Sequence, residues 1–150
     1  MTSASAIQQA PPFRRVGRSI LAIFAGFVVV VVLSLATDLG LHAAGITPPL
    51  GQPMSDPLLL LATVYRTAYG ILGSYCTARL APDRPMQHAL IGGAIGLLIA
   101  ITGAVTTWNH VPSLGPHWYP VALVITALPS AWLGGKIRTV QMTTSGGVGF

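Results

Sequence analysis

The amino-acid sequence predicts an all-α integral membrane protein, a four-helix bundle of up-down-up-down topology with both termini on the cytoplasmic side. Three observations carry that prediction. Four apolar runs, each about as long as a bilayer-crossing helix, follow one another with short breaks rich in Pro and Gly. Charged residues make up 7% of the chain against 52% hydrophobic ones, where a soluble domain carries about 25% charged residues. The basic residues gather on one side of the predicted spans and are missing from the loops on the other.

Residues 1–17, with Gln8, Gln9, Pro11 and Pro12, show no helical or strand period and read as a disordered cytoplasmic tail. A transmembrane domain over 18–139 follows. Its first span, about 20–44, is preceded by Arg14, Arg15 and Arg18. The apolar run reaches the roughly 20 residues that a hydrocarbon core requires. It exceeds the apolar region of about 7 to 15 residues typical of a cleavable signal peptide, so an uncleaved span is expected. Gly45, Pro48, Pro49, Gly51 and Pro53 then break the helix. Ser55-Asp56-Pro57 reads as a new helix start, with Pro near the first helical position. The second span, about 58–80, contains Arg66 and ends at the tight turn Ala81-Pro82-Asp83-Arg84-Pro85. The third covers about 88–108 and the fourth about 118–137, after a Pro- and Gly-containing loop. Pro129 is expected to kink the fourth. Residues 140–150 read as a second unstructured cytoplasmic tail.

Orientation follows from charge. Arg14, Arg15, Arg18, Arg79, Arg84, Lys136 and Arg138 fall on one face, which the positive-inside rule makes cytoplasmic. Trp108, Trp118 and Tyr119 lie at the opposite helix ends, where aromatic rings suit the headgroup level. The net charge of +5 sits beside apolar spans without interleaved aromatics, so anionic lipid and not nucleic acid is the expected neighbour. Cys76 is alone in an apolar run and reads as a small buried hydrophobe.

Helices in lipid associate through small residues at four-residue spacing. Gly92, Gly96, Ala100 and Ala104 form such a stripe in the third span. Ala122, Thr126, Ser130 and Gly134 form one in the fourth, and Gly70, Ser74 and Ala78 one in the second. These are the predicted packing faces, and one of them is also free to serve a homo-oligomer.

The stretches Gly51-Gln52-Pro53-Met54-Ser55-Asp56, Tyr65-Arg66-Thr67, Ala78 to Pro85 and Gly115-Pro116-His117-Trp118-Tyr119-Pro120 together resemble uncharacterised small four-span bacterial inner-membrane proteins. The resemblance covers about Arg18 to Arg138. It implies a bacterial plasma-membrane location and brings no activity with it. In size and span count the chain is also similar to the small multidrug-resistance transporters and to DoxX-type proteins. The former centre their mechanism on a Glu in the first span, and this chain contains no Glu.

Ionisable groups within a span are costly and each raises a functional question. Asp38 and Arg66 are the two. Asp38 lies roughly 9 Å below the end of the first helix and Arg66 about 13.5 Å into the second, a difference of depth that an extended guanidinium spans. An ion pair is therefore expected, with His42 and Tyr69 joining it from the same helix faces to form a polar pocket in the outward half. His42, His110 and His117 could also hold a transition metal on that side, although their spacing matches no metal motif. Haem and nucleophilic catalysis find no support in the pattern. The expectation is a non-enzymatic membrane bundle without cofactor, with the lipid bilayer as its partner. The alternatives are a small transporter or channel subunit moving a proton or small solute, and a metal-binding or redox membrane protein.

Overall fold

A computed structural model describes residues 12–49, 52–109 and 115–146. Among these the chain forms four helices and no strand: α1 (Pro12–Ala43), α2 (Asp56–Leu80), α3 (Pro85–Thr107) and α4 (Trp118–Gly146). They make an all-α four-helix bundle. Both outer helices run beyond the expected spans. α1 starts at Pro12, so the end of the segment read as a tail is helical. α4 continues to Gly146, also into residues read as a tail. Its Thr residues do not break it, because the hydroxyls of Thr139, Thr143 and Thr144 bond back to carbonyls of the preceding turn.

Local chemistry sets the breaks. Gly45 takes φ +67°, the left-handed region that a residue without Cβ enters at no steric cost. Its N–H bonds His42 O and the N–H of Ile46 bonds Leu41 O, both at 3.0 Å, a Schellman closure of α1. Pro57 and Pro85 stand in the first turns of α2 and α3, where a missing N–H costs nothing. Arg84, just before α3, is left-handed at φ 41°.

Three helices are long and apolar enough to cross a membrane: α1 from Arg15, all of α3, and α4 to Thr144. The exception is α2, where Tyr65, Arg66, Tyr69 and Tyr75 dilute the apolar residues. Fittingly, α2 is the helix most surrounded by the others. It packs along α1 and α4, while α3 packs along α4 and meets α1 only over a short stretch. The tight turn joining α2 to α3 does not make them the closest pair.

The contacts between helices are made by small side chains. The buried residues include Ala22, Ala62, Thr77, Ala78, Ala89, Ser130 and Ala131, with Leu59 the large exception. Large apolar residues such as Phe24, Val32, Leu39, Leu98 and Ile125 face outward. Apolar exposure on that scale is foreign to a soluble monomer.

Two of the predicted stripes meet. A Cβ on Gly134 would collide with the carbonyl of Ile71, with Ser74 Cβ at 2.7 Å and with Tyr75 N at 2.7 Å, and one on Gly70 would reach Ser130 Cβ at 3.3 Å. Thr126 and Ser130 hold their hydroxyls on their own helix, bonding Ala122 O at 2.9 Å and Thr126 O at 2.7 Å.

The α3 stripe needs correction. A Cβ on Gly96 would meet nothing within 4 Å and one on Gly92 only Ile23 Cγ2 at 3.9 Å, whereas one on Gly93 would collide with Ala131 Cβ. One residue is about 100° of rotation on a helix. Gly93 thus lies on the α4 seam, and Gly92, Gly96 and Ala100 border a crevice in the bundle. The expected stripes do not include the α1–α2 seam. It is built on Gly26 and Gly73, where an added Cβ would strike the backbone carbonyl of the other glycine, at 2.6 Å from Gly26 and 2.7 Å from Gly73.

We expect Gly93→Leu and Gly134→Leu to lower stability in detergent by about 1–3 kcal/mol each, the usual cost of overpacking. Gly96→Leu should leave the melting transition nearly unchanged. A thermal melt of the three variants checks this, and equal losses at all three would place Gly96 on a packed seam.

Candidate functional site

Asp38 lies on the last turns of α1, and Arg66 and Tyr65 on the first half of α2. The antiparallel packing of these helices brings them together. Arg66 Nη2 donates to Asp38 Oδ2 at 2.8 Å. The Tyr65 hydroxyl donates to the other carboxylate oxygen, Oδ1. Both acceptor atoms of Asp38 are therefore occupied, by one charged and one neutral donor. Arg66 is engaged less fully, because its Nε is buried with no hydrogen-bond partner among the described residues. The hydroxyl of Tyr119, from the first turn of α4, lies within electrostatic reach of the guanidinium.

This cluster forms the floor of a cavity of about 330 Å³ that opens at the end of the bundle bearing the α1–α2 and α3–α4 connections. Its walls are largely apolar: Leu41, Pro48, Pro49, Met54, Leu58 and Leu59. His42, Gln52, Thr107 and His117 supply polar groups higher up. The two charged side chains are each 36% exposed, so the pair is open to the cavity and not sealed in a core. A second, smaller space of about 170 Å³ lies deeper among all four helices. It is lined by Gly26, Gly70, Gly73, Gly92, Gly96 and Ser130, among others, and Arg66 borders it too. Arg66 is thus common to both spaces.

The structure redistributes the other expected site residues. Tyr69 does not join Asp38, because its hydroxyl hydrogen-bonds that of Thr37 at 2.8 Å. α2 runs away from the open end, so Tyr69 sits a full turn below Tyr65 and below the level of the carboxylate. Tyr65, adjacent to Arg66 and one turn before Tyr69, takes the place expected for it. The two rings lie 5.8 Å apart. That spacing of four was legible in the sequence as one helix face. Tyr119 was not, since its approach depends on α2 packing against α4. His42 lines the cavity wall near the end of α1 and is exposed.

His117 is occupied locally. Its Nε2 donates to Trp108 O at 2.9 Å and its ring stacks on Trp108, with centroids 4.4 Å apart and planes 10° from parallel. This closes the C-terminus of α3. Trp118 in turn donates from Nε1 to Asp56 at 3.2 Å, tying the starts of α4 and α2. His110 lies outside the described residues. Among the described residues no three His, Cys, Asp or Glu side chains gather to hold a metal ion. His88, at the other end of the bundle, hydrogen-bonds the Ser19 hydroxyl at 2.8 Å.

Comparison of the chain with protein-family models, with curated proteins and with solved structures returns no match.

A double-mutant cycle tests the floor. Asp38→Asn and Arg66→Gln should each cost about 1–3 kcal/mol in detergent, less than for a fully buried pair because the cavity solvates both groups. The double variant should lose less than the sum, since it strands neither charge. Strictly additive losses in chemical denaturation would show that the two residues act independently.

Proposed function

We propose that this protein is a four-span bacterial inner-membrane protein, with both termini cytoplasmic, that binds a small polar solute in a pocket open to the outer side. It acts as a binding bundle and not as an enzyme. The observation that carries the reading is the placement of a half-exposed ion pair at the bottom of an open, apolar-walled cavity. A pair serving only to lock two helices would be better enclosed, because water at its edge weakens the attraction. A charged floor beneath apolar walls is the usual composition of a small-molecule site.

Support for the membrane comes from the three helices of sufficient length and apolarity, together with the apolar exterior and small-residue seams. α2 becomes the fourth span by virtue of its neighbours, since its polar side chains turn toward α1, α4 and the cavity. The basic residues Arg15, Arg18, Arg79, Arg84, Lys136 and Arg138 all lie at the end opposite the cavity mouth, which argues for a cytoplasmic face there. The bacterial location rests on the sequence resemblance.

A second reading, a small transporter or channel subunit, is favoured by one feature. Arg66 borders both the outer cavity and the inner crevice, so one charged side chain faces both spaces. The metal or redox reading has no comparable support.

Cysteine accessibility tests both the sidedness and the openness of the pocket. In a Cys76→Ala background, Met54→Cys should react with a membrane-impermeant maleimide added outside right-side-out vesicles. Gly17→Cys, at the exposed start of α1, should react only after permeabilisation. Labelling of both from the same side would overturn the topology, and failure of Met54→Cys to react from either side would overturn the open pocket.

A further inference from the structure

We infer that the solute taken by this pocket is a small zwitterion with an apolar side chain, its carboxylate meeting Arg66 and its cationic group meeting Asp38. The inference rests on the reading of the cavity as a solute-binding site and adds the chemical class of the solute.

Charge balance selects the class of solute. The floor carries one fixed cation and one fixed anion, 2.8 Å apart, and among the described residues lining the cavity Asp38 is the sole acid. A monoanion arriving at Arg66 must compete with Asp38 and leaves a surplus negative charge in a region of low polarity. A monocation arriving at Asp38 leaves the opposite surplus. Either surplus is unfavourable beside the cavity's apolar walls, even with the pair partly open to water. An uncharged polar solute creates no surplus, but it cannot replace the attraction lost when the pair is parted. Only a solute carrying both charges replaces each half of the pair with an equivalent partner and keeps the floor neutral.

The guanidinium of Arg66 also has unused donor capacity. Asp38 meets the guanidinium through a single nitrogen, Nη2, and the Nε–H of the same guanidinium has no partner among the described residues. A guanidinium offers its donors in pairs matched to the two oxygens of a carboxylate. Asp38 does not complete that arrangement here: its second oxygen accepts from the Tyr65 hydroxyl and not from a second guanidinium nitrogen. A solute carboxylate can do so once Arg66 swings from Asp38, and Tyr65 then remains on Asp38 to hold it in place for the cationic group. Tyr119 stands beside the guanidinium on the α4 side and bounds the carboxylate position.

The size and walls of the cavity suit a small solute with an apolar side chain. A volume of about 330 Å³ lies at the lower end of the range of about 300–1,000 Å³ for small-molecule sites. Leu41, Met54, Leu58 and Leu59 on the walls offer apolar surface to the remainder of the solute, above the charged floor.

Three probes with nearly the same branched skeleton separate the charge classes: leucine, isocaproate, which lacks the amine, and isoamylamine, which lacks the carboxylate. Binding is measured by calorimetry on the full chain in lipid nanodiscs. Leucine should bind wild-type protein at least about tenfold more tightly than either singly charged probe, a difference of about 1.4 kcal/mol. Asp38→Asn should turn the preference toward isocaproate, and Arg66→Gln toward isoamylamine. Should either single variant fail to fold, the double variant, in which no charge is stranded, should bind all three probes with no preference for leucine. Isocaproate or isoamylamine binding wild type as tightly as leucine would overturn the inference, as would a leucine preference that survives in the double variant. Failure of all three to bind while Met54→Cys remains labelled from outside would also overturn it and leave the open pocket standing. Loss of that labelling would remove the pocket itself.

Discussion

The arrangement of this bundle depends on where Asp38 and Arg66 can go. Each is expensive on an apolar helix surface and cheap only beside the other or beside water. Placing α2 among its neighbours meets that constraint for Arg66, and it holds Tyr65 and Tyr69 against α1, where their hydroxyls hydrogen-bond Asp38 and Thr37. The long apolar helix α1 can then remain at the edge, with residues such as Phe24 and Leu39 facing outward. The polar content of α2, which makes it the least able of the four helices to face lipid, is what draws the others around it.

Close approach of the backbones follows from the same economy. A bundle with few large side chains between its helices must bring the helices near one another to gain dispersion contact. Gly26 with Gly73, Gly70 with Ser130, Gly93 with Ala131, and Gly134 with Ser74 do this at successive seams. Where a small residue has no opposite number, as at Gly96, the result is space and not contact. The inner crevice is such a place, where the short meeting of α1 and α3 leaves the stripe Gly92, Gly96 and Ala100 unfilled.

The cavity at the other end is a consequence of the loops as much as of the helices. The Schellman closure at Gly45 turns the chain sharply and carries Pro48 and Pro49 over the ends of α1 and α2. His117, stacked on Trp108, and Trp118, bonded to Asp56, fasten α4 to α3 and α2 at the same level. These contacts join the ends of α2, α3 and α4 at the cavity rim, beside Tyr119. A rim built this way leaves the charged floor reachable, and that accessibility is the feature on which the proposed solute binding rests.

The four helices and their breaks were legible in the sequence because run length and the placement of Pro and Gly are local properties. The partnership of Asp38 with Arg66 was legible for a related reason: consecutive antiparallel helices fix relative depth by residue count. Tertiary packing decided what rotation about each helix axis controls. It selected Gly93 over Gly96 for the α4 seam and Tyr65 over Tyr69 for the carboxylate. It also brought Tyr119 to Arg66 from a helix more than fifty residues away in the chain. Apolar periodicity cannot supply that rotation when nearly every face of a helix is apolar. The phase is set only when neighbouring backbones find the small residues that let them close.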